Sequence, residues 1–136
     1  MPDVVHEGIH HLTLNVQDVD RAQAWYRDVL DFEPVRAYAT DEFTRVVMRH
    51  PASGAVLAIN RHTATVAEEP FDERRAGLDH LAFRVADRAA LDQWLTRLDN
   101  LGVSRSEPQP GAVPGSRLVA FRDPDGTQLE MFVPGP

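Results

Sequence analysis

The chain has no cysteine in its 136 residues. That excludes disulfides, thiolate metal ligands and a cysteine nucleophile together. It also lacks any apolar run approaching the roughly 20 residues of a membrane span, and its first residues lack the basic-then-apolar pattern of a secretory signal. Positive charge is in deficit: 14 Lys and Arg stand against 21 Asp and Glu, for a net charge of −7. A chain of that sign is a poor partner for nucleic acid. The acidic residues are scattered, which reads as solvation. These absences lead us to expect a cytoplasmic protein with no membrane or nucleic-acid partner. Its length is that of one domain, 1–136, with 43% hydrophobic and 26% charged residues, enough for a core of its own.

What the chain does have is an internal repeat. From His11 it reads H-L-T-L-N-V-Q-D and from His80 H-L-A-F-R-V-A-D; His11 and His80, Asp18 and Asp87, and Trp25 and Trp94 are each 69 residues apart. Further on, R-H-P-A-S-G at 49–54 is echoed by R-D-P-D-G at 122–126. A repeat of this length is a whole supersecondary unit, so two like modules related by pseudo-symmetry are expected. Each opens with a histidine at the same point.

Module one spans about residues 8–62. Leu12, Leu14 and Val16 alternate with His11, Thr13 and Asn15 as in a strand. Asp18 stands where a helix N-cap belongs, ahead of the helical spacing of Ala22, Trp25, Tyr26, Val29 and Leu30. Residues 32–38, 43–49 and 55–61 read as three more strands. Module two, about 77–133, repeats the order. A strand at 78–85 leads into a helix striped by Leu91, Trp94, Leu95, Leu98 and Leu101, which Gly102 can end by adopting positive φ. Strands are then expected near 103–107, 117–122 and 127–133, with a strong turn at D-P-D-G. Residues 63–76 read as a linker, 108–114 as a loop at a rim or lid, and the closing P-G-P as frayed. Trp25 and Trp94, at equivalent helix positions, are expected in the core.

Strand parity then nominates a site. The aliphatic face of each opening strand must lie under its helix, so the histidine face points the other way. In the last strand Leu129, Met131 and Val133 meet the helix, and Gln128, Glu130 and Phe132 share the face of His80. In module one Leu57 and Ile59 meet the helix, leaving Val56, Ala58 and Asn60 on the open face. Ala58 and Glu130 each lie four residues past the matched glycine, Gly54 or Gly126. Symmetry thus selects His11, Ala58, His80 and Glu130. Two histidines and one carboxylate form a facial triad suited to Fe(II), Mn(II) and similar divalent ions, with positions open for substrate. Hydrogen-bonded histidines with a solvated carboxylate are the plainer alternative; against it, an unpaired glutamate is costly in a strand reading L-E-M-F-V. His10 is read as facing the helix side or the sheet edge, and His6, His50 and His62 as solvated. Asn15, Asn60, Arg84 and Gln128 share the open face and could orient an oxyanion. The parity of Tyr38, Phe43, Arg45 and Met48 is left open.

The paired βαβββ modules, the stretch from His11 to Leu30 and the closing R-D-P-D-G-T-Q-L-E-M-F-V resemble the vicinal oxygen chelate superfamily. That superfamily includes glyoxalase I, extradiol dioxygenases, fosfomycin-resistance enzymes and bleomycin-resistance proteins. The resemblance covers about residues 8–133. It implies an α+β fold, an open barrel-like mixed sheet around a metal cleft, with His11, His80 and Glu130 as metal ligands. Ala58 stands where glyoxalase I has a glutamate, which counts against that reaction. The expected function is therefore a metal-dependent enzyme that chelates a small oxygen-rich substrate in bidentate fashion. It would resemble an extradiol dioxygenase or a fosfomycin enzyme, with Glu130, Asn15 and Arg84 in catalytic roles. Fe2+ or Mn2+ is the favoured ion, with Ni2+ or Zn2+ as alternatives. The competing expectation is a metal-free binder that sequesters an antibiotic or similar ligand. A homodimer is expected, because strand edges of two like modules need closing.

Overall fold

The computed structural model describes residues 4–64 and 69–136. The chain divides into two compact units, Met1–Glu68 and Glu69–Pro136, at a point inside the expected linker. Each unit is a βαβββ module.

The first unit runs β1 (Leu12–Asn15), α1 (Val19–Leu30), β2 (Glu33–Ala39), β3 (Phe43–Arg49) and β4 (Val56–His62). Its sheet has the order β1-β4-β3-β2, with β1 and β4 parallel and the rest antiparallel. The helix begins where Asp18 accepts the Arg21 N–H at 3.0 Å, satisfying one of the unpaired donors of a helix start. Beneath α1 lie Leu14, Val46, Met48, Leu57 and Ile59, all buried, together with Ala22, Tyr26, Val29 and Leu30 from the helix. Asp31, at φ 60°, ends the helix by donating its N–H back to the last carbonyls.

The second unit repeats the plan: β5 (Leu81–Arg84), α2 (Arg88–Asn100), β6 (Gln109–Pro110), β7 (Arg117–Arg122) and β8 (Gln128–Val133). The order β5-β8-β7-β6 copies the first sheet. Asp87 caps α2 through the Ala90 N–H at 2.8 Å, and Gly102 leaves it at φ 71°. Leu91, Leu98, Val119, Phe121, Leu129 and Met131 make the core.

The α+β plan of two βαβββ modules is as expected, its strands forming two four-stranded mixed sheets that no ladder joins among the described residues. Other expectations are corrected. The opening strands are shorter than expected, because only residues 12–15 and 81–84 find ladder partners in β4 and β8. No strand forms over 103–107. There the ladder shrinks to one bridge, Arg105 with Phe121, and the Ser106 hydroxyl accepts the Ala120 N–H that a strand carbonyl would take. Pro108 then ends any continuation, having no N–H to donate. The edge strand β6 falls inside the expected rim loop. Proline is tolerated there because an edge needs no second ladder, as at Pro34 in edge strand β2.

Residues 65–68 of the expected linker lie outside the described residues, but its later part is docked. The Phe71 N–H reaches the Asp125 carbonyl at 3.1 Å, and Glu73 pairs with Arg122 at 2.9 Å. The tail is not splayed either: Gly135 and Pro136 lie against Pro114 to Ser116. Trp25 and Trp94 are half-buried rather than core residues. Trp94 turns its ring to Arg97, whose guanidinium sits 5.4 Å from the ring centre, and Trp25 packs edge-on to Tyr26. A large ring on the flank of an amphipathic stripe reaches the core edge without entering it. None of the described helices is long and apolar enough to cross a membrane.

Candidate functional site

In the second unit His80 stands one residue before β5, and Glu130 lies in β8 opposite Ala82. Alternation along paired strands puts both side chains on the face away from α2. His80 Nε2 is 3.6 Å from Glu130 Oε2, with the glutamate side chain 9% exposed and the histidine 40%. The other ring nitrogen is held as well. His80 Nδ1 donates to the Asp79 carboxylate at 2.6 Å, which orients the ring and aims Nε2 at Glu130. The Asp79 hydrogen bond, opposed by desolvation and helped by the Glu130 charge, raises the His80 pKa above its ordinary value. Asp79 went unnoticed in the sequence, although its place directly before His80 was the available signal.

In the first unit His11 is exposed one residue before β1, and its Nδ1 lies 2.8 Å from His10 Nδ1. His10 is exposed, not buried under the helix, with its ring edge-on to His11. Thr13 opposes Ala58 as Ala82 opposes Glu130, so the two positions matched by the repeat are structurally equivalent. Ala58 is buried and has no carboxylate to offer. His50, expected to be solvated, is half-buried and organises its turn, taking the Ser53 N–H at 3.1 Å.

The remaining candidates separate. Arg84 is exposed on β5. Asn15 accepts from Asn60 Nδ2 at 2.9 Å, and Asn60 Oδ1 in turn accepts from Arg45 Nε at 3.0 Å. Arg45 also donates to the Tyr38 hydroxyl at 3.1 Å. The pairings Arg45 with Asn60 and Tyr38 with Arg45 resolve the parity that sequence left open: both residues lie on the face away from α1. Among the described residues, no three His, Asp or Glu side chains gather where they could hold one metal ion. The structure brings His80 and Glu130 together within one unit, while His11 belongs to the other.

This chain resembles several known proteins over most of its length. It is 26% identical over 125 residues to the fosfomycin resistance protein FosX of Mesorhizobium japonicum, covering 92% of this chain and 84% of that one. It is 30% identical over 126 residues to the metallothiol transferase FosB of Shouchella clausii, covering 91% and 78%. Among solved structures, a glyoxylase/bleomycin resistance protein/dioxygenase domain from Frankia sp. EAN1pec superposes with a TM-score of 0.84 at 30% identity, over 95% of this chain and 98% of that one. A sequence model of the Glyoxalase/Bleomycin resistance protein/Dioxygenase superfamily matches residues 8–131. By that match, and by the doubled βαβββ module that accounts for it, the chain belongs to the glyoxalase/bleomycin resistance protein/dioxygenase superfamily.

Proposed function

We propose that this protein is a divalent-metal-dependent enzyme acting on a small oxygen-rich molecule, with His11, His80 and Glu130 as the metal ligands. The observation that carries this reading is the pair in the second unit: a buried carboxylate facing a histidine nitrogen whose partner nitrogen is pinned by Asp79. Neighbouring donors on one divalent ion sit about 3 Å apart when each is about 2.1 Å from it, so a 3.6 Å pair fits such an ion with a small approach. Glu130 has little water around it and no cationic Lys or Arg partner among the described residues, so a bound cation would offset its burial. His11 would complete the set from the first unit of the same chain or of a second copy.

The ion, when bound, would act as a Lewis acid toward adjacent substrate oxygens. Fe(II) or Mn(II) is the expected choice for two imidazoles and one carboxylate. Asp79 would keep His80 in the tautomer whose Nε2 is free to ligate. Asn15 and Arg84 would orient substrate oxygens. The metallothiol transferase and fosfomycin-resistance relatives support the transferase or epoxide-opening branch over ring cleavage. Ala58 argues against glyoxalase I chemistry, since the position holds no base.

The competing reading is a metal-free binder that sequesters a small ligand. Elemental analysis after reconstitution with Mn(II) or Fe(II) separates the two. The enzyme reading expects near-stoichiometric metal in the wild type and turnover in a screen of epoxides, catechols and 2-oxoaldehyde adducts. Absence of metal after reconstitution would leave the binder standing.

A further inference from the structure

We propose that the first unit carries, on the face of its sheet away from α1, an oxyanion-binding subsite centred on Arg45 and built from Tyr38, Arg45, Asn60 and Asn15. The subsite stands on the first unit alone and does not depend on a metal.

These four residues form one row across the sheet, a single residue from each strand: Tyr38 opposes Arg45, Arg45 opposes Asn60, and Asn60 opposes Asn15. Hydrogen bonds of 3.1, 3.0 and 2.9 Å link them in that order. The chain of bonds has a direction. A guanidinium has five donors and no acceptor, and it stays charged at every physiological pH. Arg45 therefore fixes which end of the Asn60 amide it meets: Oδ1 accepts from Arg45 Nε. Asn60 is 1% exposed, so this choice has no alternative from water. Its Nδ2 must then donate, and Asn15 Oδ1 accepts. What Asn15 presents onward is its NH2 group, a donor. On the other side the Tyr38 oxygen accepts from Arg45, which leaves its O–H to donate. The outward groups of the whole row are thus donors: the Tyr38 hydroxyl, Arg45 Nη2 and the Asn15 amide.

Charge points the same way. Arg27, Arg74, Arg75, Arg105 and Arg122 each meet an Asp or Glu within 3.0 Å. Arg45 meets none among the described residues; its partners are neutral, and its guanidinium lies 4.2 Å from the Phe43 ring centre. It is half-buried in a protein with a net charge of −7, where carboxylates are plentiful. A part-desolvated cation left without a counter-charge is costly, and it cannot shed its proton to escape. A second guanidinium, Arg36, lies 4.8 Å from the Tyr38 ring centre. A row of aligned donors with an uncompensated positive charge recognises an oxyanion, either a planar carboxylate or a tetrahedral phosphonate or phosphate, on a small ligand.

The test titrates EDTA-treated wild-type protein with methylphosphonate, with acetate and with neutral acetamide into the millimolar range. Side-chain NMR signals of Arg45, Asn15 and Asn60 provide the readout. At least one anion should shift these signals saturably, and acetamide should not; the stronger of the two anions identifies the tetrahedral or planar source. Arg45→Met keeps the packed stem and should weaken anion binding by about ten- to a hundredfold. Asn60→Asp is the sharper variant: it leaves Arg45 in place but supplies the missing counter-charge, and it should weaken binding comparably. Arg27→Met, on α1, should bind as the wild type does. Circular dichroism melts establish that each variant is folded; if Arg45→Met does not fold, Arg45→Lys, which keeps the charge and loses the fork, replaces it with a smaller expected loss. Saturation unaffected by Arg45→Met or Asn60→Asp, or no anion response in the wild type, overturns the proposal. A repeat with Mn(II)-loaded protein separates it from the metal reading. Anion binding that needs Mn(II) and ignores Arg45 would sink the subsite and leave the metal centre, whereas Arg45-dependent binding in a protein that retains no metal would do the reverse.

Discussion

The two units share strand order and the face that meets the helix, yet place opposite chemistry on the other face. Under α1 the pairs are Val46 with Ile59 and Met48 with Leu57; under α2 they are Val119 with Met131 and Phe121 with Leu129. Both sets are buried and aliphatic or aromatic, as a helix-covered sheet face requires. On the far face the rows diverge. Where the second unit has Ala120, Glu130 and Ala82, the first has Val47, Ala58 and Thr13. Two residues further along, the first has Arg45, Asn60 and Asn15, and the second has Leu118, Phe132 and Arg84. A duplicated fold therefore constrains only the face it must bury. The open face is free to divide labour, with a carboxylate and a histidine in one copy and a donor-rich cationic row in the other.

The largest effect expected from this asymmetry concerns Glu130. With Ala58 in the matching position, Glu130 is the single anionic ligand of the proposed set. Glu130→Ala should abolish metal retention and any native turnover, because two neutral imidazoles bind a divalent ion far more weakly. Wild type should show negligible turnover of the methylglyoxal–glutathione adduct. Metal content and that assay, measured for wild type, Glu130→Ala and Ala58→Glu, check both statements; full metal occupancy in Glu130→Ala would sink the site as assigned.

The buried faces should behave alike where the open faces do not. Ile59→Ala and Leu129→Ala each remove a fully buried side chain beneath a helix and should each destabilise the protein by about 2–5 kcal/mol. Urea denaturation measures this. A large inequality between the two would mean that the shared face is not equivalently packed.

The strands β1 and β5 each leave one edge outside any ladder among the described residues. Open edges favour closure by a second copy, so light scattering should give twice the 15.2 kDa chain mass. A mass near that of a single chain at micromolar concentration would count against the dimer.

The smallest difference lies in the matched arginines that begin the two turns. Arg122 pairs with Glu73, and that hydrogen bond holds the Glu73 carboxyl below its ordinary pKa. Arg49 has no carboxylate partner among the described residues. A depressed carboxylate pKa adds stability above its unfolded value, and this is lost as pH falls through the folded one. Arg122→Met should therefore move the Glu73 titration upward in carboxyl NMR, while Arg49→Met should leave it in place.

Much of this was legible in residue order. Asp18 announced the first helix start and its repeat partner Asp87 the second, and alternation in L-A-F-R and Q-L-E-M-F-V assigned His80 and Glu130 to one face. The region 103–107 was misread because a hydroxyl, Ser106, took over a ladder bond that sequence pattern assigns to backbone. Arg45 was ambiguous for a different reason. In F-T-R-V-V-M-R both faces carry apolar residues, Phe43 and Val47 on one and Val46 and Met48 on the other, so period two has no preferred phase.

The sequence by itself determined the doubling, the helix caps and which aliphatic residues lie beneath each helix. These follow from spacing along the chain and the alternation of side chains. Only the tertiary structure decided that Asn15 shows its donor rather than its acceptor. The physical reason is range. A side-chain amide takes its orientation from the bond it makes, and here that bond leads through Asn60 to a guanidinium two strands away in chain order. No local pattern carries that information.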